Sequence, residues 1–468
     1  MPPLSELPGA LAEHGHGQEP PDLRVPPPGP MSRTLGARRA RTECPGSFGG
    51  DAARPGEDGP ALPIVLASGR GSNLYDVDGN RYVDLAAGFG ALLLGHGAPA
   101  MTHTVQGQVA RLVQGLGDVY PSDIKVALLE RLAVLHPGLR PRVLLTQSGS
   151  DAITAALKTA LLATGRPGVL AFDGAYHGLG YGPLAACGYC SGFRQPFAAQ
   201  LSPHVEFAPY PGLRGSSPEA SLGFAEQVLR QREVGAVLVE PAMGRGGCLV
   251  PPNGWLGELC ELAHRHGALV VADEIWTGLG RAGAMLRSVD VGAPVDLVCL
   301  GKGLGGGLPI SACVGPEPVM QAWARHGDVI HTSTHAGAPL GCAAAIATLD
   351  ALRTKRLDTR ARELGGRWRD TLARDLADSK HVVEVRGVGL MIGIELDTEA
   401  HALAASRALL ERGYLVLTGG VDGEVLTLTP ALTIDEALLL GFGTVLRDVL
   451  AGDLAAPARD SAPRLAQA

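Results

Sequence analysis

The chain has 468 residues, 46% of them apolar, and a formal net charge of −7, which is enough for a large core and more than one structural unit. An acidic balance gives no attraction to a phosphate backbone or an anionic bilayer, so no nucleic acid and no membrane partner is expected. No apolar run reaches the length of a membrane span and no secretory segment is evident, so the expected location is cytoplasmic.

Residues 1 to about 60 are rich in Pro, Gly and Arg without a sustained apolar period, and are expected to be a disordered, solvated extension. From 61 to 105 short strand patterns follow, with Asp78-Gly79-Asn80 between two apolar runs predicting a β-hairpin. Over 106–345, helix-length segments separate short apolar runs that begin at Arg142, Gly168, Gly235, Ala268 and Val295. That alternation predicts an α/β domain with a mostly parallel sheet covered by helices. Residues 346–455 alternate helices with strands over Val382 to Leu396 and Tyr414 to Leu428, predicting a smaller α+β domain. A flexible tail is expected over 456–468.

In an open α/β sheet, ligands bind beyond the carboxyl ends of the strands, so the residues just past each apolar run carry the functional information. Ser148-Gly149-Ser150-Asp151 follows the run at Arg142 and opens a helix stopped by Gly165 and Pro167. Small residues there leave backbone N–H groups for a phosphate, although an ordinary N-cap needs the same residues. Asp273 and Glu274 end the run at Ala268, where an Asp can hold a pyridine nitrogen protonated, bind a metal or cap a helix. Gly278 to Gly283 matches GxGxxG. A nicotinamide-dependent oxidoreductase would need that motif at a strand end with a long helix behind it. Of only five lysines, Lys302 alone follows a buried-strand pattern, and it lies between glycines; a lysine so close to a core is costly unless it is used. Cys187-Gly-Tyr-Cys190 lacks a second pair at zinc spacing and is read as packing, with no metal expected.

Phosphate cradle, ring-nitrogen carboxylate and amine nucleophile, in this order, are what pyridoxal 5'-phosphate (PLP) chemistry needs. From about 63 to 450 the chain resembles a class III aminotransferase of PLP-dependent fold type I. The resemblance implies that Gly149 and Ser150 bind the phosphate and that Tyr176 and Ile275 lie on opposite faces of the ring. It further implies that Asp273 pairs with the ring nitrogen and that Lys302 forms the Schiff base and moves protons. Glu240, in Val-Glu-Pro, and Trp276, where many members carry Gln, fall on the substrate side. Thr334 corresponds to a threonine that reaches the phosphate of a neighbouring subunit, so a homodimer with shared active sites is implied. The implied activity is amino transfer between an amine or amino acid and an oxo acid, aldehyde or ketone. Aminomutase, racemase or decarboxylase chemistry on the same fold is the alternative. Thr427 and Leu179 stand where ornithine-type members carry carboxylate-binding arginines. The pocket is therefore expected to favour an amine, an ω-amino compound or an aminated ring over glutamate, unless Arg194 supplies the missing charge.

Overall fold

A computed structural model describes residues 16–44, 64–325, 327–452 and 454. The first sheet is an antiparallel meander, β1 (Leu66–Arg70), β2 (Asn73–Asp76) and β3 (Arg81–Asp84). The predicted turn joins β2 to β3, and Gly79 takes the left-handed conformation there (φ 87°).

The central sheet contains β4 (Arg142–Thr146), β5 (Gly168–Phe172), β6 (Val205–Ala208), β7 (Val234–Val239), β8 (Leu269–Asp273), β9 (Leu297–Leu300) and β10 (Ser311–Gly315). Its order is β4-β10-β9-β8-β7-β5-β6. Only β10 runs antiparallel to its neighbours. Every residue of β7 is buried, as expected of a parallel strand covered on both faces. The helix Gly149–Thr164 crosses one face with six buried residues, mostly alanines, that let it lie close to the sheet. Ser148 caps it by accepting from the Asp151 N–H, and Gly165 ends it in the left-handed conformation.

A second antiparallel sheet follows, from β11 (Val382–Val388) and β12 (Met391–Leu396). The chain returns through β13 (Tyr414–Leu415), which pairs parallel with β3. It finishes the second sheet with β14 (Leu417–Gly419) and β15 (Val425–Leu428), in the order β11-β12-β15-β14. His381 and His401 both turn Nδ1 onto the Asp397 carboxylate, at 3.4 and 2.6 Å, tying the start of β11 and the following helix to the end of β12.

The disordered extension expected over 1–60 is corrected for residues 16–44. They are held against the meander, and residues 30–40 form a helix. Asn73 bonds the backbone of Glu19 in both directions, Asn80 Oδ1 accepts from the N–H groups of Arg24 and Val25, and Asp78 accepts from those of Met31 and Ser32. Polar side chains of β2 and of the turn after it, rather than an apolar face, pin this segment. The remainder of that extension, and the tail from 456, lie outside the described residues.

Candidate active site

Sheet order decides which strand ends meet. Along the carboxyl edge, β9, β8, β7 and β5 are neighbours, so Lys302, Asp273, Glu240 and Tyr176 follow one another although 126 positions separate the extremes. All four line one cleft of about 240 Å³, together with Gly149, Ser150, Ile275 and Trp276.

Lys302 follows β9 after Gly301 and has a positive φ of 40°, which is strained for a side-chain-bearing residue. Its flanking glycines are required by close approach. A Cβ on Gly301 would meet Ser311 Oγ at 2.8 Å, and one on Gly303 would meet Leu93 at 2.4 Å. Burial pushes the ammonium down to about 8, against the opposing pull of Asp273 and Glu240. Nζ lies 4.1 Å from the Trp276 ring centroid. That indole is wedged between two glycines, since a Cβ on Gly90 or on Gly244 would come within 2.4 Å of it.

Asp273 is buried at the end of β8; His177 Nδ1 bonds one carboxylate oxygen at 2.7 Å and the Ile275 N–H donates to the other at 3.1 Å. The Nε2 of His177 and the Nε1 of Trp276 are buried without a hydrogen-bond partner among the described residues. Glu240 accepts from the N–H groups of Tyr176 and Gly244, at 2.9 and 2.8 Å. Burial pushes its carboxyl up to about 7, with His177 opposing. Its neighbour in kind, Glu274, turns away to bond Thr277 and Ser288 and serves the core.

At the other end, Gly149 and Ser150 occupy the first turn of their helix, where N–H groups precede any intrahelical acceptor. Gly149 is needed because a Cβ would press on Ile275 at 2.8 Å. Ser150 Oγ accepts from the Gly180 N–H at 3.1 Å. PLP fits these residues: a helix N-terminus suits its phosphate, a carboxylate fixed by His177 suits its ring nitrogen, and a partly neutral lysine suits its carbonyl.

Thr334 does not line this cleft. It is exposed, and its carbonyl accepts from Gln114 Nε2 at 2.6 Å. Nor does Arg194, whose guanidinium sits 4.3 Å over the Phe207 ring. The arginine in the cleft is Arg245, stacked over Tyr176 and Tyr189 at 4.8 and 4.9 Å. Sequence reasoning passed over it; the available signal was a cation among glycines just beyond the Val-Glu-Pro that ends β7. Gly278 to Gly283 forms a tight turn whose Arg281 is fully buried and donates to the carbonyls of Leu390 and Pro430, at 2.8 and 2.5 Å. No long helix follows it, so it locks the sheets together and cradles no dinucleotide.

The aminotransferase class-III family matches residues 55–450. The chain belongs to that family. It is 39% identical over 403 residues to an acetylornithine aminotransferase of Mycobacterium tuberculosis, covering 84% of this chain and 94% of that one. It is 34% identical over 436 residues to a 4-aminobutyrate aminotransferase of Mycobacterium bovis, covering 88% and 94%. Among solved structures, the ornithine aminotransferase of Toxoplasma gondii, crystallised with PLP at partial occupancy in its active site, superposes with a TM-score of 0.79 at 28% identity, covering 90% and 94%. This class III aminotransferase is therefore a PLP-dependent transaminase of fold type I.

Proposed function

We propose that this transaminase takes its amino group from a primary amine on an unbranched chain, of the ω-amino acid kind, and passes it to an oxo acid. The carrying observation is the succession of Lys302, Asp273, Glu240 and Tyr176 along one sheet edge, facing the helix N-terminus at Gly149. The names of the acetylornithine and 4-aminobutyrate relatives support that donor class.

PLP, when bound, supplies an electrophilic carbonyl and an electron-withdrawing ring that stabilises negative charge on the substrate carbon. The N–H groups of Gly149 and Ser150 would hold its phosphate, and Tyr176 and Ile275 would line the two sides of its ring. Asp273, oriented by His177, keeps the ring nitrogen protonated. Lys302, lowered to about 8, has a neutral fraction near neutral pH and would supply the amine nucleophile and, once displaced, the base that moves a proton at the substrate carbon. Glu240 and Trp276 face the substrate.

The acting unit in this reading is a homodimer, with Thr334 of the partner subunit reaching the phosphate. Supporting it, Thr334 is exposed away from its own cleft, and Leu112, Val113, Leu116, Val119 and Tyr120 form a run of exposed apolar side chains. A reducing, cytoplasmic location is supported by eight cysteines that are all unpaired. No described helix is long and apolar enough to cross a membrane.

The test is a donor screen with 4-aminobutyrate, N-acetylornithine and ornithine against pyruvate and 2-oxoglutarate, using PLP-loaded wild type and Lys302→Ala. Turnover is expected with an ω-amino donor in the wild type, and neither turnover nor a borohydride-trappable adduct in the variant. Wild type that is inactive with every donor, or a variant that keeps the adduct, refutes the reading.

A further inference from the structure

We propose that His381, Asp397 and His401 form a binding site for a divalent cation of the zinc type, which staples the start of β11, the end of β12 and the helix Glu399–Leu410. None of the three lines the cofactor cleft, so the site is separate from the residues given roles in transamination.

Strand pairing and a helix cap bring the three donors together. Val382 lies opposite Leu396 across β11 and β12, and the Asp397 N–H donates to the His381 carbonyl at 3.0 Å. His381 and Asp397 therefore occupy adjoining strand ends. Thr398 caps the following helix by accepting from the His401 N–H at 3.1 Å, which sets His401 one helical turn on from Asp397. Both imidazoles offer Nδ1 to the one carboxylate, and the three donor atoms lie within 4.8 Å of one another.

The spacing suits a metal ion better than a pair of protons. At 3.4 Å, His381 Nδ1 is too far from Asp397 Oδ2 for a good hydrogen bond. Two ligand atoms each about 2.0–2.1 Å from a tetrahedral zinc lie about 3.4 Å apart, which is the same separation. His401 Nδ1 is 2.6 Å from Oδ1 and has to open by about 0.8 Å; Asp397, whose side chain is 38% exposed, has room to turn that far. His381 is buried, and its Nε2 has no hydrogen-bond partner among the described residues. Whatever use this ring has thus runs through Nδ1. Two imidazoles and one carboxylate match zinc by donor type, whereas magnesium and calcium prefer oxygen alone. Asp397 also borders a second cleft of about 480 Å³, open enough to admit the water that completes the coordination.

A hydrogen-bonded His–Asp–His clasp that takes no metal is the competing role. The two are separated by calorimetric titration of PLP-loaded, chelator-stripped protein with zinc chloride. The parent for this test carries Cys44→Ser, because Cys44 is the one exposed thiol among the described cysteines. His401→Gln and Asp397→Asn are compared in that background, with the cofactor absorbance of each sample reporting that it is folded. The parent should bind one equivalent of zinc. Each variant should bind it at least about 10-fold more weakly, since losing even an outer partner of a metal ligand costs that much. Zinc should raise the thermal midpoint of the parent by about 2–4 °C, reversibly with EDTA, and leave both variants unmoved. A parent that binds no zinc, or either variant keeping the equivalent at the parental affinity, overturns the proposal.

Discussion

Replacing Asp273 by Asn removes a charge while keeping the shape of the site. The native carboxylate has a His177 Nδ1 contact at 2.7 Å and an Ile275 N–H contact at 3.1 Å. An amide can keep both, with its oxygen accepting from Ile275 and its NH₂ donating to His177 once that ring shifts its tautomer. The variant should therefore fold and load PLP. What it loses is a charged partner for the ring nitrogen, worth on the order of 1.5–3 kcal/mol in the ground state. That is about 10- to 150-fold, and the effect grows where negative charge develops in the transition state. The expected outcome is a fall of at least two orders of magnitude in the single-turnover rate with an amino donor. Stopped-flow absorbance reads that rate, with cofactor content and thermal midpoint measured on the same preparation. A fully loaded Asp273→Asn protein that keeps a third or more of the wild-type rate refutes the role given to this carboxylate.

Lys302 is depressed by burial to about 8, so below that pH most of it is ammonium and cannot attack a carbonyl. Covalent capture of PLP by the apo-protein should speed up about tenfold per pH unit below 8 and level off above it; a rate still climbing at pH 10 contradicts the depressed value. Mixed dimers of Thr334→Ala and Lys302→Ala chains should recover PLP capture and turnover at the sites that combine an intact Lys302 with Thr334 of the partner subunit, while each homodimer stays impaired. A monomer by light scattering refutes that arrangement. Asn80→Ala strips partners from the Arg24 and Val25 N–H groups and from Asp76 and Tyr82, a cost of about 3 kcal/mol. Trypsin should then cut faster between Arg33 and Arg41 while the cofactor spectrum stays unchanged; an unchanged digestion rate shows that Asn80 does not pin the segment.

The readable parts of the chain were those governed by local pattern. The apolar runs at Arg142, Gly168, Gly235, Ala268 and Val295 all became strands of the central sheet, and the helix from Gly149 ends at Gly165 as its glycine and proline require. Two strands, β6 and β10, were not anticipated: Glu206 interrupts the apolar run of Val205–Ala208, and Ser311 and Gly315 leave only three apolar residues between them. Lys302 and Asp273 were legible because a charge at the end of a buried strand is expensive in any fold. Their meeting depends on β8 pairing with β9, with Asp273 opposite Cys299. Residues 16–44 carry no apolar period because they are held by single polar side chains 50 or so positions away. The choice between Arg194 and Arg245 was equally out of reach. Both are arginines between strands of the central sheet, but Arg194, ending the short helix Ser191–Arg194, lies against Phe207, while Arg245, in the loop after β7, enters the cleft. The sequence by itself determined the strands, the helix caps and the costly charges, because each follows from neighbours a few residues away. Tertiary structure alone decided which of those charges share a cleft, because strand order and loop packing bring together residues that no local period connects.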